Sequence, residues 1–119
     1  MEIREILRRA DRGRVDTPLI DAITNNVTVN DVAQTILSYG GKPMMIDDLR
    51  EIKEGVAISD GLYINIGTMG YEKEDSMILG ANVARENNIP VILDPVGVHV
   101  TKLRRKIVED ILNVGIKLI

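Results

Sequence analysis

Leu62-Tyr-Ile-Asn-Ile-Gly-Thr68 runs from an apolar stretch into a small, polar tip, and Val91-Ile-Leu-Asp-Pro-Val-Gly97 does the same one helix later. Between them, residues 74–86 place Met77, Ile78, Ala81 and Ala84 at helical spacing. Two strands separated by a single helix can be joined side by side only through a crossover. That makes the pair parallel and the connection right-handed. This strand–helix–strand unit decides the fold.

Working outward, the same unit recurs. Upstream, Pro18–Ile23 and Pro43–Ile46 read as strands, separated by a helix from Thr28 with the stripe Val29, Val32, Ala33, Ile36 and Leu37. Thr28 is predicted to cap that helix with its hydroxyl, Asp31 being the acid three residues on, and Gly40-Gly41 to end it. Asp48 is predicted to cap a further helix with Leu49, Ile52 and Val56 inward. Ile3, Ile6, Leu7 and Ala10 form a first helical stripe, closed by Gly13. Downstream, a helix from Thr101 carries Leu103, Ile107, Val108, Ile111 and Leu112 to Gly115, and 116–119 begins a fifth strand. The expected architecture is α/β, a parallel sheet with helices on both faces. No loop follows the fifth strand, so the design is expected to be truncated, with residues 1–119 forming the N-terminal part of a single domain.

Composition agrees with a sheet. The chain holds 17 Ile and 12 Val but no Phe or Trp, so β-branched side chains supply the bulk of the core. With no Cys, a disulfide framework, a cysteine-built zinc site and a thiol nucleophile are excluded from these 119 residues. No apolar run is long enough to span a membrane and the first 14 residues lack a signal core, so a soluble, cytoplasmic protein is expected. Both ends are basic and the middle is acidic, within a net charge of −3. Nucleic acid is not expected as a partner, because it needs a continuous basic face with stacking aromatics. The basic run Lys102, Arg104, Arg105, Lys106 reads as a solvated helix face.

In parallel sheets ligands gather at the carboxyl ends of the strands. Those ends read Thr24-Asn25, Asp47-Asp48, Gly67-Thr68 and Asp94-Pro95-Val-Gly97. Asn25, Asn26, Thr28 and Asn30 sit between a strand and a helix start, suited either to hold a polar ligand or simply to shape an Asx turn. Gly67 allows close backbone approach, and Asp94 suits a hard cation such as Mg²⁺, which takes only one or two carboxylates. Met44-Met45 either fills core or touches a flat apolar ligand. Neither Gly67 nor Gly40-Gly-Lys42 belongs to a phosphate-loop pattern. His99 is the only histidine, which excludes a histidine-built metal site or a histidine triad; it reads as a surface residue.

Taken in order, Pro18-Leu-Ile20 leading into Ile23-Thr-Asn-x-Val-Thr-x-Asn30, Gly41-x-Pro-x-Met45, Ile64-Asn-Ile-Gly-Thr68 and Ile89-Pro-Val-x-Leu-Asp-Pro-Val-Gly97 resemble the N-terminal part of hydroxyethylthiazole kinase. The resemblance extends over essentially the whole chain. It implies a ribokinase-like fold, a homotrimer, and transfer of the ATP γ-phosphoryl group to the alcohol of 4-methyl-5-(2-hydroxyethyl)thiazole in thiamine biosynthesis. By position it places Asn25, Val27, Met45, Gly67 and Thr68 on the thiazole and Asp94 near magnesium and phosphate. The family commonly has His-Cys at Asp21-Ala22, an aromatic at Asn26 and Met at Val29, which bears on pocket shape and polarity. Its Arg-Gly-Asn segment, nucleotide-binding residues and catalytic Cys would fall after Ile119, so the isolated chain is expected to hold the acceptor without turnover.

Two other readings compete. A non-catalytic thiazole-binding or structural remnant is compatible with the same residues. A phospho-acceptor receiver module has the right length and inventory, but it needs its acidic pair after the first strand and its Thr after its acceptor Asp. Here the pair follows the second strand and Thr68 precedes Asp94.

Overall fold

The computed structural model describes residues 2–117. Its elements are α1 (Ile3–Asp16), β1 (Leu19–Ile23), α2 (Val29–Ser38), β2 (Lys42–Met44), α3 (Ile52–Ala57), β3 (Gly61–Asn65), α4 (Tyr71–Glu86), β4 (Val91–Asp94) and α5 (Lys102–Asn113). The four strands form one sheet in the order β2-β1-β3-β4, and each neighbouring pair is parallel. The register aligns Asp21 with Leu62 and Val91, then Ala22 with Tyr63 and Ile92. Alternation along each strand therefore puts Asp21, Ile23, Leu62, Ile64 and Val91 on one face. Ile20, Ala22, Tyr63, Asn65, Ile92 and Asp94 lie on the other.

The first of these faces carries the core. Ile23, Ile64 and Val91 have no exposed surface, and Ile52 and Val56 of α3, Met77 and Ala81 of α4, and Ile107 and Ile111 of α5 close over them. Burying a Val or Ile side chain contributes about 1.5–3 kcal/mol, so this packed layer is the main source of stability. On the other face lies α2, from which no side chain is fully buried. Val32 and Ile36 face Ile20 and Ile92 across a groove of about 590 Å³. Helices thus occupy both faces, but only one face is sealed.

Several local expectations are corrected. α1 runs past Gly13 to Asp16 and ends where Thr17 adopts a left-handed φ of 44°. Its apolar stripe is not core: Ile3 is 75% exposed, and Ile6 and Leu7 are at least half exposed. Thr28 precedes α2, but its hydroxyl makes no capping bond and instead meets the Thr24 hydroxyl at 3.3 Å. The cause is the Thr28 backbone, already in the helical region, which turns the hydroxyl away from the first helical amides. Asp48 caps a turn rather than α3. Its carboxylate accepts from the Arg50 amide and guanidinium, and α3 begins only at Ile52.

Leu103 and Leu112 are about half exposed, leaving Ile107 and Ile111 as the buried contacts of α5. Gly115, with φ +81°, follows that helix as expected. Of the fifth strand, Ile116 and Lys117 are not in strand conformation, although the Lys117 carbonyl accepts from the Val91 amide at 2.9 Å. Leu118 and Ile119 lie outside the described residues.

Candidate active site

Each of the four strands ends on the same edge of the sheet, and a chain of side-chain amides ties three of those ends together. Asn25 follows β1. Its Oδ1 accepts from the backbone amides of Val27 and Thr28, both at 3.0 Å, which closes an Asx turn into α2. With that oxygen engaged, Nδ2 donates to Asn65 Oδ1 at 2.9 Å. Asn65 ends β3 and also accepts from the Gly67 amide at 2.8 Å. Its Nδ2 in turn donates to the Tyr63 hydroxyl and to Asp94 Oδ2, each at 3.0 Å. Asn25 and Asn65 are both buried, so each polar atom needs the partner it has.

Gly67 is required by this arrangement. A Cβ there would stand 2.6 Å from Asn25 Nδ2 and 2.8 Å from Asn65 Oδ1, inside the hydrogen bond that joins the two amides. The Tyr63 hydroxyl donates to Asp94 at 3.3 Å. Burial, with the adjacent Asp94 charge adding to it, raises its pKa above the ordinary value, so the proton stays on the phenol. Only Asp94 Oδ2 is drawn into these bonds. Among the described residues there is no group of three or more His, Cys, Asp or Glu side chains able to hold a metal ion. A lone carboxylate at a strand tip fits Mg²⁺, which keeps most of its waters and shares substrate phosphates, and does not fit a caged metal.

The loops after β1 and β2 are held differently. Lys73, in the first turn of α4, donates to the Thr24 carbonyl at 2.6 Å and lies 3.8 Å from Asp47. Buried Ser76 donates to the Asp47 carbonyl at 2.7 Å. Asn26, Asp47, Asp48, Thr68 and Lys73 then line an open cleft of about 380 Å³. Hydrogen bonds from Arg50 hold the Asp48 carboxyl down at a pKa of about 2, so it is ionised at any ordinary pH.

Beneath this cleft, on the sealed face, Asp21 has no exposed surface. Its Oδ1 accepts from the Ile46 amide at 2.9 Å while Oδ2 has no partner. Burial pushes its pKa up to about 6, against the pull of its backbone hydrogen bonds.

The expected residues are thus divided between two spaces. Thr68 lines the cleft above β2 and β3, and Asp94 lines the groove on the α2 side with Tyr63 and Asn65. Asn25 and Gly67 stand in the amide chain between the strand ends. Val27 contributes its backbone amide there, while its side chain is 85% exposed. Met45 is half-buried beside Ile46, in the loop that Asp21 holds, and lines neither space.

Two residues of the site were not singled out from sequence. Asn65 looks like one polar position in an alternating strand; the signal was an amide two residues before a glycine at a strand end. Arg104 lies in the basic run expected to be a solvated helix face, yet it is half-buried and its guanidinium donates to carbonyls of the loops after β3 and β4.

Comparison with known proteins adds a family. The profile of the hydroxyethylthiazole kinase family matches residues 11–119. A hydroxyethylthiazole kinase of Clostridium tetani is 52% identical over 96 residues, which is 81% of this chain and 35% of that protein. One from Natronomonas pharaonis is 45% identical over 103 residues, 85% of this chain and 37% of that protein. The solved structure of a hydroxyethylthiazole kinase protein from Pyrococcus horikoshii OT3 superimposes with a TM-score of 0.92 at 34% identity, covering 96% of this chain and 45% of that one. The chain spans between a third and two fifths of the length of these two curated relatives.

Proposed function

Since the chain belongs to the hydroxyethylthiazole kinase family, we propose that it supplies the acceptor-binding part of an ATP-dependent kinase for 4-methyl-5-(2-hydroxyethyl)thiazole, an enzyme of thiamine biosynthesis. The observation that carries this reading is the amide chain from Asn25 through Asn65 to Asp94. It sets backbone and side-chain polar groups at the carboxyl edge of a parallel sheet, where the fold places ligands. In this reading Asn25, Val27, Gly67 and Thr68 surround the thiazole, and Met45, in the loop after β2 and outside both spaces, is the apolar contact brought to it on binding. Asp94 stands on the magnesium and phosphate side.

Phosphoryl transfer is mostly positioning and charge stabilisation. Bound Mg²⁺ would neutralise charge on the ATP phosphates. The residues of this chain would orient the acceptor alcohol, through fixed amides, and offer one carboxylate oxygen to the metal. The Asn65 and Tyr63 donors keep Asp94 aimed and satisfied on its other oxygen. A soluble, cytoplasmic homotrimer is the assembly that goes with this reading. No described helix is long and apolar enough to cross a membrane.

Isothermal calorimetry with the thiazole alcohol tests the reading. The chain should give a saturable heat, and Asn25→Ala and Met45→Ala should each weaken it at least tenfold, a loss of about 1.4 kcal/mol. Equal heats from all three proteins would end the assignment of this pocket. Saturable binding without ATP turnover would mark the chain as a binding part only.

A further inference from the structure

Arg104 breaks two local rules at once. It is a cation in the first turn of a helix, where the macrodipole disfavours positive charge, and that turn contains no acidic residue. It is also half-buried, while Lys102, Arg105 and Lys106 around it are exposed. Its guanidinium is met by carbonyls. Nη1 donates to the Ile66 carbonyl at 2.7 Å and to the Val96 carbonyl at 3.1 Å, and Nη2 donates to the Gly67 carbonyl at 2.8 Å. Ile66 and Gly67 belong to the loop after β3, Val96 to the loop after β4. A planar fork with donors at fixed angles can gather three such oxygens, whereas a lysine ammonium is a single point.

Two further features keep the fork in place. The Thr101 hydroxyl accepts from the Arg104 amide at 3.2 Å, which starts α5 three residues before the arginine and fixes its aim. Gly97 turns with φ +72°, and a Cβ there would approach Arg104 Nη1 to 3.3 Å. The loop after β4 is therefore shaped around the guanidinium.

We propose that Arg104 is a positioning residue of the kinase site, fixing the Gly67-Thr68 backbone relative to Asp94. The inference rests on the function proposed above, because those are the two places where acceptor and metal side would be held. Three of its five N–H donors, including both on Nη1, are taken by loop carbonyls, which fixes the orientation of the guanidinium. Its effect is on geometry: displacing a reacting group by about 1 Å can lower the rate by roughly a hundredfold.

The Gly67 amide, bonded to Asn65, and the Val98 amide, bonded to the Pro95 carbonyl, report on the two loops separately by hydrogen exchange. In Arg104→Lys, exchange at both amides should accelerate together while the midpoint of thermal unfolding moves by only a few degrees. Thiazole-alcohol affinity should fall roughly tenfold. In Arg104→Ala, millimolar ethylguanidinium should restore part of the protection at both amides and part of the affinity, which a fold-wide loss of stability would not allow. Wild-type exchange in Arg104→Lys, acceleration in one loop alone, or no rescue of Arg104→Ala would overturn the role of Arg104. Absence of a thiazole heat from the wild-type chain would instead overturn the functional reading, and the exchange data would still decide whether Arg104 couples the loops.

Discussion

The two faces of the sheet are built from the same residue types and differ in what covers them. On the sealed face, Ile64 lies in a layer closed by α3, α4 and α5 and has no exposed surface. On the face toward α2, Ile92 is half exposed and borders an open groove. Each face also carries a carboxylate. Asp21 is buried on the sealed face with one oxygen unpartnered, whereas Asp94 on the open face receives Asn65 and Tyr63. Stability is concentrated on one side, and the strand-tip carboxylate held by neighbouring side chains is on the other.

The largest effect expected from this division is at Ile64. Ile64→Ala should cost roughly 2–5 kcal/mol, toward the upper end because the cavity it leaves is walled by packed helices. Urea denaturation should show the midpoint falling with little change in slope. A loss below about 1 kcal/mol would mean that the sealed face is loosely packed in solution.

Asp21 should come next, and its effect depends on pH. Its folded pKa of about 6 lies above the ordinary value of 3.8, so the fold prefers the protonated form. The associated stability is fully present below about pH 4 and is lost as pH rises through 6. The total is about 3 kcal/mol, levelling off above that pH. Chemical denaturation between pH 4 and 7 should trace this decline, and Asp21→Asn should flatten it. A slope unchanged by that substitution would assign the titration elsewhere.

The smallest effect belongs to Ile92. Ile92→Ala should cost less than about 1 kcal/mol, as for a partly exposed position without packed neighbours. A loss as large as that at Ile64 would break the comparison outright. It would show that another polypeptide segment covers the groove in solution.

The sequence made the order of strands and helices readable because alternation and helical spacing are local signals. The parallel sheet, the strand tips and the ends of α2 and α5 follow from them directly. Amphipathicity says that a helix has an apolar side, and it does not say what lies against it. Hence Ile3, Ile6 and Leu7, or Val29 and Leu37, read like core residues and yet are exposed.

The site was legible to the same degree. Asn25, Gly67 and Asp94 stand at strand tips, where topology puts chemistry. Asn65 and Arg104 act across forty residues or so of sequence, through partners that no local pattern reveals. Asp21 was visible only as a departure from the family. Its burial comes from the sheet register, which sends its side chain into the core between β2 and β3.

The amide chain has one more consequence, for the alphabet allowed at position 65. Asn65 must present an acceptor toward Asn25 and Gly67 and a donor toward Asp94 and Tyr63. Neither amide can reverse alone, because a lone flip would set oxygen against oxygen or nitrogen against nitrogen at the junction. Aspartate would lack the donor and leucine would lack both groups, while glutamine would push the amide one methylene too far. Across any set of working variants, position 65 should spell a single letter, even where neighbouring Ile64 and Ile66 drift among aliphatic side chains.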